Sequence, residues 1–392
     1  DIDKRAYQLA YFAVMMKARS YNRRILTKGI SNNLAVTEES NGIDKFSLDG
    51  LTNDNKQNKT GEYLVNVYRD AQEIGTLQTV KKRDYESFAQ YLHDIENNTT
   101  QLDIFTTTWM KDTLPKMLQF TKQAEIMSGK YAVVCTNPPY MNKLEGQLKK
   151  FVVDNYKPYS GDLFSVFIYR NFGYCKLDGY SAFMTPFVWM FIKTYEKLRE
   201  FVIDTKSMTT LVQMEYSAFE EATVPICSFV LQNCRNTEKS LCFRLSDFKG
   251  KMEIQKQKVL EAFADKNCGY FYETNQSNFS KIPGSPIAYW VSENIVAAFS
   301  NKTLYEFSIS PSQNVTGNNG IYVRKFWELS NSKVDVKDEW IFYCKGGGYR
   351  KWWGNLEDVV NWTPSARQIY QFGDGKHASQ IINKEYWYKK GI

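Results

Sequence analysis

A short apolar, β-branched run, Tyr131-Ala132-Val133-Val134-Cys135-Thr136, stops abruptly at Asn137-Pro138-Pro139-Tyr140. A run of this length and kind reads as a buried strand. It cannot continue as a helix, because consecutive prolines lack backbone N–H groups and push the residue before them into extended backbone. Downstream, residues 162–177 predict a helix with Asp162 as its cap, Asp178-Gly179 a turn, Tyr180–Thr185 a strand, and 194–204 a helix. Thr209–Met214 and Ile226–Gln232 predict two more strands. Strand–helix alternation from 131 to 214 predicts an α/β fold with a mostly parallel sheet. The strand at 226–232 follows its predecessor without a full crossover helix, which allows an antiparallel pair at the sheet edge.

Upstream, residues 4–26 predict an amphipathic helix with a basic end at Lys17, Arg19, Arg23 and Arg24. Residues 31–62 are rich in Asn, Thr, Gly and Lys and read as a surface loop or insertion, and 63–127 as mostly helical. Beyond about 235 alternation is lost, and Gly, Asn, Ser, Lys and aromatics dominate. The expected boundary is at 240–245, with one domain over 1–240 and a second over 241–392. Both ends look cut: the chain opens on Asp1, directly into the helical pattern, and stops just after an aromatic cluster.

The chain has 392 residues and is 43% hydrophobic, enough for a large core. Aromatics reach 15%, a surplus that suits a core and also a surface that stacks on bases. The net charge of +7 is compatible with a polyanionic partner and does not require one. Seven cysteines lie without CxxC spacing, and His occurs only at 93 and 377. Neither a metal site nor a disulfide framework is expected, and Cys–His or Ser–His catalysis has no supporting motif. The most apolar stretch, Tyr180–Ile192, is broken by Pro186 and falls short of a membrane span. With no signal sequence at the start, a cytoplasmic location without membrane contact is expected.

The strand-end tetrapeptide carries a specific chemistry. An adenine exocyclic amine is a poor nucleophile, because its lone pair is delocalised into the ring. Two acceptors aimed at its two N–H groups make the nitrogen more tetrahedral and more reactive. The Asn137 side-chain oxygen and the Pro138 carbonyl can be those acceptors, and Pro138 and Pro139 fix the backbone before substrate arrives. Tyr140 offers a flat face for a base extruded from its duplex. A bland reading stands beside this one, since Asn-Pro is also a common strand-end turn.

Further segments extend the pattern: Asp162–Arg170 (DLFSVFIYR), Phe187–Arg199 (FVWMFIKTYEKLR) and Ser217–Leu231 (SAFEEATVPICSFVL), then Thr316–Leu329 (TGNNGIYVRKFWEL) and Lys345–Asn355 (KGGGYRKWWGN). With Asn137–Asn142 (NPPYMN), Val133 to Leu231 resembles the γ-type order of amino-methyltransferase motifs. Over nearly its whole length the chain is similar to the adenine-specific DNA methyltransferases of BREX phage defence, the PglX type. The resemblance implies a Rossmann-like S-adenosyl-L-methionine-dependent sheet followed by an α+β target-recognition domain. It also implies double-stranded DNA as partner and other proteins of the defence system as further ones.

On that resemblance Asp1 matches the acid that binds the cofactor ribose, and Asp70 the acid that contacts the cofactor adenine. Phe219 and Phe229 are the candidates for a second aromatic against the extruded base, and a core aromatic is the default for each. The glycine-rich loop that cradles the cofactor's methionine belongs before Asp1 and is not in this sequence. The fragment alone is therefore expected to bind cofactor weakly and to be inactive.

In the second domain, Lys345, Arg350 and Lys351, with Lys325 and Arg367, sit among Trp327, Tyr349, Trp352, Trp353 and Trp362. These cations can position phosphates, and Asn318, Asn319 and Arg324 can reach bases or backbone. The glycines at 346–348 would let backbone approach a phosphate chain. Composition alone favours a small β-rich domain with a tryptophan core and a solvated basic face, and the family resemblance reverses that preference for the domain. Two other functions compete with DNA adenine methylation. One is an NPPY methyltransferase acting on RNA or on a protein glutamine. The other is a DNA-recognition or assembly subunit without activity.

Overall fold

β1 (Tyr131–Thr136) forms over the residues its sequence predicts and pairs in parallel with β2 (Cys175–Pro186). The computed structural model describes residues 2–29, 32–43, 54–98, 107–216, 218, 224–307, 314–352, 354–372 and 379–388. These fall into two compact units, Asp1–Ser300 and Asn301–Ile392.

The first unit holds a six-stranded sheet in the order β1-β2-β4-β3-β5-β6, with β3 at Ser207–Gln213, β4 at Ile226–Gln232, β5 at Ser240–Arg244 and β6 at Phe271–Thr274. β1–β2 and β3–β5 are parallel, while β4 runs antiparallel to both its neighbours and β6 to β5. The architecture is a Rossmann-like α/β sheet, but a mixed one rather than the mostly parallel one expected. β4 follows β3 without a crossover helix, so it must run antiparallel, and it slots between β2 and β3 rather than closing an edge.

β2 starts earlier than expected. The helix before it ends at Asn171, and Asp178-Gly179 forms a bulge inside the strand instead of a turn ahead of it. Register slips there, from Tyr131↔Cys175 to Val133↔Tyr180. Asp178 has φ 59°, and a Cβ on Gly179 would stand 2.7 Å from the Ala132 carbonyl oxygen, so the close approach of the strands requires glycine. β1 itself is less covered than a buried strand: Val133 is 62% exposed, and β2 is its one paired neighbour among the described residues.

The helices of this unit are α1 (Lys4–Tyr21), α2 (Asn55–Val67), α3 (Ala71–Ile74), α4 (Tyr85–Asn98), α5 (Leu114–Ser128), α6 (Gly146–Tyr156), α7 (Leu163–Asn171), α8 (Glu196–Thr205) and α9 (Met252–Ala264). α1 stops at Tyr21, short of 26, and leaves Leu9 and Phe12 exposed. The expected loop over 31–62 ends sooner, because Asp54 accepts from the Lys56 and Gln57 amides and starts α2. Its residues 44–53 lie outside the described ones.

Several apolar cores result, and two are the largest. One holds α2, α4 and α5 together, with Tyr68 stacked on Phe120 at 5.4 Å. The other fills the sheet face, where Phe183 stacks on Phe229 at 5.1 Å and Trp189 is fully buried. Buried Arg170 of α7 ties the layers, donating to the carbonyls of Leu77 (3.2 Å) and Gln78 (2.7 Å).

The compact units divide at 300/301, some way beyond the expected boundary at 240–245. Texture changes near 235, yet β5 and β6 still pair onto the same sheet. The second unit is a three-stranded antiparallel sheet, β7 (Val323–Lys325), β9 (Asp358–Asn361) and β8 (Trp340–Phe342) in that order. α10 (Asn319–Tyr322) precedes it and α11 (Pro364–Phe372) closes a small core on Val360, Trp362 and Tyr370.

Candidate active site

The Asn137–Tyr140 segment leaves the C-terminal end of β1, where parallel strands of an α/β sheet place their binding loops. Tyr140 folds back over that end. Its hydroxyl lies 2.9 Å from Asn137 Oδ1 and 3.3 Å from the Met184 carbonyl oxygen, and it has one proton to donate. The shorter contact binds the tyrosine to the asparagine oxygen. A carbonyl oxygen has a second lone pair, so Asn137 keeps one acceptor direction open. Tyr140 is 38% exposed, with its edge against Phe164 (centroids 6.4 Å apart, 89° between planes) and the rest of its ring accessible. Burial, and then the neighbouring Cys227, hold its phenol above the usual range.

The segment is fixed from below by Asp162. Its Oδ1 accepts from the Phe164 amide (3.2 Å) as the cap of α7, and also from the Met141 amide (2.9 Å) just after Tyr140. The Leu163 amide returns a bond to the Met141 carbonyl at 3.0 Å. Asp162 is buried, so one carboxylate joins the tetrapeptide to a helix start. Its charge reaches Tyr195, whose phenol is pushed up to about 12, first by burial and then by Asp162. Sequence reading found the cap but not this second bond, which spans 21 positions and leaves no local pattern.

β2 delivers a second wall at the same end of the sheet. Its last residue Pro186 leads into Phe187, whose amide donates to the Pro225 carbonyl at 2.8 Å. Phe187 meets Tyr216, which follows β3, edge to face at 5.9 Å. Arg199 braces this wall from beneath: fully buried, it donates to the carbonyls of Trp189 (2.7 Å), Ile192 (2.7 Å) and Gly284 (2.7 Å).

Of the two acids assigned to cofactor, Asp1 lies outside the described residues. Asp70 is described. It takes a left-handed φ of 55° ahead of α3, and its carboxylate accepts from the Asn41 side-chain amide at 3.0 Å while its own amide donates to Asn41 Oδ1 at 3.1 Å. Glu73 of α3 then accepts from the Gln147 amide at the start of α6, so the Asp70 turn reaches the helix that follows the tetrapeptide. The chain's beginning is also near: Ile2 Cγ2 lies 3.4 Å from where a Cβ on Gly75 would be.

The Eco57I restriction-modification methylase family model matches residues 1–219, more than half of the chain. The chain belongs to this methylase family. Two curated relatives align with all of it. One is the adenine-specific methyltransferase BrxX of Escherichia coli O9:H4 (strain HS), 27% identical over 423 residues. The other is the adenine-specific methyltransferase PglX of Lacticaseibacillus casei (strain Zhang), 31% identical over 424 residues. Each alignment takes in 34% of the relative, so the chain spans about a third of the length of the curated relatives it matches. Among solved structures, the type I restriction-modification methyltransferase subunit from Streptococcus thermophilus overlaps at TM-score 0.35 and 13% identity, covering 46% of this chain and 47% of that one. An overlap that low carries no weight, and the fold rests on the sheet topology itself.

In this Eco57I-type methylase the two phenylalanines kept as stacking candidates part ways. Phe219 lies outside the described residues. Phe229 is buried within β4 against Phe183 and Trp189, where no base can reach it. Its strand alternation points it into the core, the default for such a ring.

The second unit separates its candidates too. Lys345, Arg350 and Lys351 are each exposed on the loop between β8 and β9. Asn318 precedes α10 without a capping bond from its side chain, Asn319 accepts from Thr316 at 2.7 Å, and Arg324 turns back onto the carbonyls of Gly320 (2.6 Å) and Val323 (2.8 Å). Lys325 is paired with Glu357 (3.2 Å) and Asp358 (3.3 Å), and Arg367 with Asp338 (2.6 Å). Arg367 also lies 4.9 Å over the Trp387 ring, a packing role inside the unit. Trp353 lies outside the described residues, and Trp362 belongs to the core. No group of metal-ligating side chains, and no helix long and apolar enough to cross a membrane, occurs among the described residues.

Proposed function

We propose that this chain forms the target-base half of an S-adenosyl-L-methionine-dependent methyltransferase that acts on N6 of an adenine extruded from double-stranded DNA. We place it in a phage-defence or restriction-modification setting, in the compartment that holds the DNA. The observation that carries the reading is the meeting of Asn137 Oδ1 and the Tyr140 ring at the end of a parallel strand. Family membership and full-length alignment with two proteins named adenine-specific methyltransferases support it.

The chemistry follows from the donors and acceptors present. Asn137 Oδ1 accepts one amine N–H and the Pro138 carbonyl the other, drawing the nitrogen lone pair out of conjugation. The Tyr140 ring holds the base plane, and the aromatic wall of Phe187 and Tyr216 keeps water from that side. Bound S-adenosyl-L-methionine supplies the activated methyl group. Asp70 fits the part of an acceptor for its polar edge, since it presents a carboxylate on an exposed turn with one neutral partner. The ribose end of the cofactor falls to Asp1, which lies outside the described residues. The second unit serves as the DNA reader, with Lys345, Arg350 and Lys351 on phosphates and Asn318 and Arg324 nearer the bases. Other defence proteins are further partners.

The test is product analysis. A protein of the relatives' full length carrying this chain is incubated with unmethylated DNA and S-adenosyl-L-methionine, and the DNA is digested and chromatographed. N6-methyl-2′-deoxyadenosine is expected. Its absence, with methylated glutamine or RNA instead, overturns the reading.

A further inference from the structure

The loop between β8 and β9 carries two aromatic rings that do nothing for the fold. Tyr349 is 86% exposed and Trp352 88%, whereas Trp362 and Tyr370 of the same unit are buried in its core. Exposing two such rings three positions apart forgoes apolar burial that the fold elsewhere exploits, so the rings await something outside it. Between them stand Arg350 and Lys351, and Lys351 Nζ sits 5.3 Å over the Trp352 ring. No ion pair engages Lys345, Arg350 or Lys351 among the described residues, and the acids at the loop's base, Glu357 and Asp358, are already paired with Lys325.

The loop is nonetheless tied in shape. Asn355 Nδ2 donates to the Gly348 carbonyl at 3.2 Å, and the Tyr343 amide closes the base on the Asp358 carbonyl at 2.9 Å. A Cβ on Gly347 would come 2.5 Å from Asn355 Oδ1, and one on Gly354 2.5 Å from Arg350 Cγ, so these two glycines are explained by internal packing. Gly346 and Gly348 are not: a Cβ on either meets nothing within 4 Å. Backbone is left open on that side.

The order of groups identifies the visitor. Two adjacent cations stand between the two rings, beside open backbone, a set of groups that can hold phosphates and stack on bases. A protein partner would not need flush backbone beside paired rings. A lipid surface also takes Trp and Tyr beside Lys and Arg, and membership of a restriction-modification methylase family favours nucleic acid over it.

We propose that the β8–β9 loop is a base-stack wedge. Tyr349 and Trp352 enter the stack of duplex DNA at an opened or weakly stacked step, while Lys345, Arg350 and Lys351 hold the phosphates beside it. This rests on the DNA reading above for the identity of the partner, and goes beyond it in assigning the two rings.

The experiment measures binding of the full chain, by fluorescence anisotropy, to one duplex and to the same duplex with a single abasic nucleotide, where unstacking has been done in advance. The parent chain is expected to prefer the abasic duplex about tenfold. Y349A/W352A abolishes that preference, Y349F/W352F restores it, and all melt with the parent, since both rings are exposed. K345A/R350A/K351A weakens both duplexes alike and lowers the salt slope by roughly two to three. An alanine pair that keeps the abasic preference overturns the wedge and leaves DNA binding standing. Failure of the parent chain to bind either duplex overturns the DNA reading, and the wedge with it. Loss of binding to phosphatidylserine vesicles in Y349A/W352A, with DNA binding unchanged, makes the loop a membrane contact and overturns the wedge alone.

Discussion

The Tyr140 hydroxyl donates to Asn137 Oδ1 at 2.9 Å, and that oxygen is the one assigned to the adenine amine. Before substrate arrives, the site satisfies its own acceptor with its own stacking residue. An extruded base must share the oxygen or displace the phenol. A neutral hydrogen bond of this kind is worth about 1 kcal/mol, or roughly fivefold in an equilibrium.

Tyr140→Phe separates ring from hydroxyl. Base extrusion, followed by 2-aminopurine fluorescence at the target position, is expected to be at least as strong as in the parent, with turnover within about fivefold. Tyr140→Ala loses the ring and is expected to lose both. A phenylalanine variant as inactive as the alanine one would place the hydroxyl itself in the chemistry.

Asp162→Ala removes two acceptor contacts at once, on Phe164 and Met141. Loss of the cap should cost about 1 kcal/mol of stability, read from urea unfolding. Loss of the Met141 contact frees the tetrapeptide, so turnover should fall by much more than that stability change accounts for. Asp162→Asn, which keeps an acceptor oxygen, should recover most of both. Equal, small effects on turnover and stability would reduce Asp162 to an ordinary cap.

Arg199→Met removes the guanidinium from the buried carbonyl of Trp189 and the partly buried one of Gly284, while Ile192 keeps the Tyr195 amide. Each orphaned acceptor costs on the order of 1–3 kcal/mol, so a loss of several kcal/mol is expected in the unfolding free energy. A loss under 1 kcal/mol would mean that water replaces the guanidinium there.

Alkaline stability follows from buried acids. Cys227 lies in the core, and burial pushes its thiol from an ordinary value of 9.0 up to about 12. Burial likewise takes the Tyr195 and Tyr174 phenols from 10.0 up to about 12. The unfolded chain releases these protons first, so their stabilising contribution is complete below the unfolded values and is lost as pH climbs toward 12. Unfolding midpoints should stay level to about pH 9 and then fall, less steeply in Cys227→Ser. A midpoint unchanged at pH 10.5 would contradict this.

Sequence patterns located the parts set by local chemistry. β1 and β4 run where their apolar runs place them, because each is a β-branched stretch with hard boundaries. What escaped depends on partners far along the chain. Asp178-Gly179 reads as a turn, and becomes a bulge only because β1 lies beside it. Phe229 follows its expected default as a core aromatic, and β4, inserted between two strands, shows which rings it packs on. β5 and β6 extend the sheet past a change of composition, since backbone pairing is indifferent to the polar loops between them. The tetrapeptide's place at a strand end was legible in the sequence, but its anchorage by Asp162 was not.

Asn137→Ala tests the central claim most directly, in a protein of the relatives' full length assayed for N6-methyladenine formation alongside DNA affinity. Removing one preorganised acceptor is expected to cut turnover by roughly a hundred- to a thousandfold, with DNA affinity within about twofold of the parent. Methylation within tenfold of the parent rate would show that the amine is activated elsewhere.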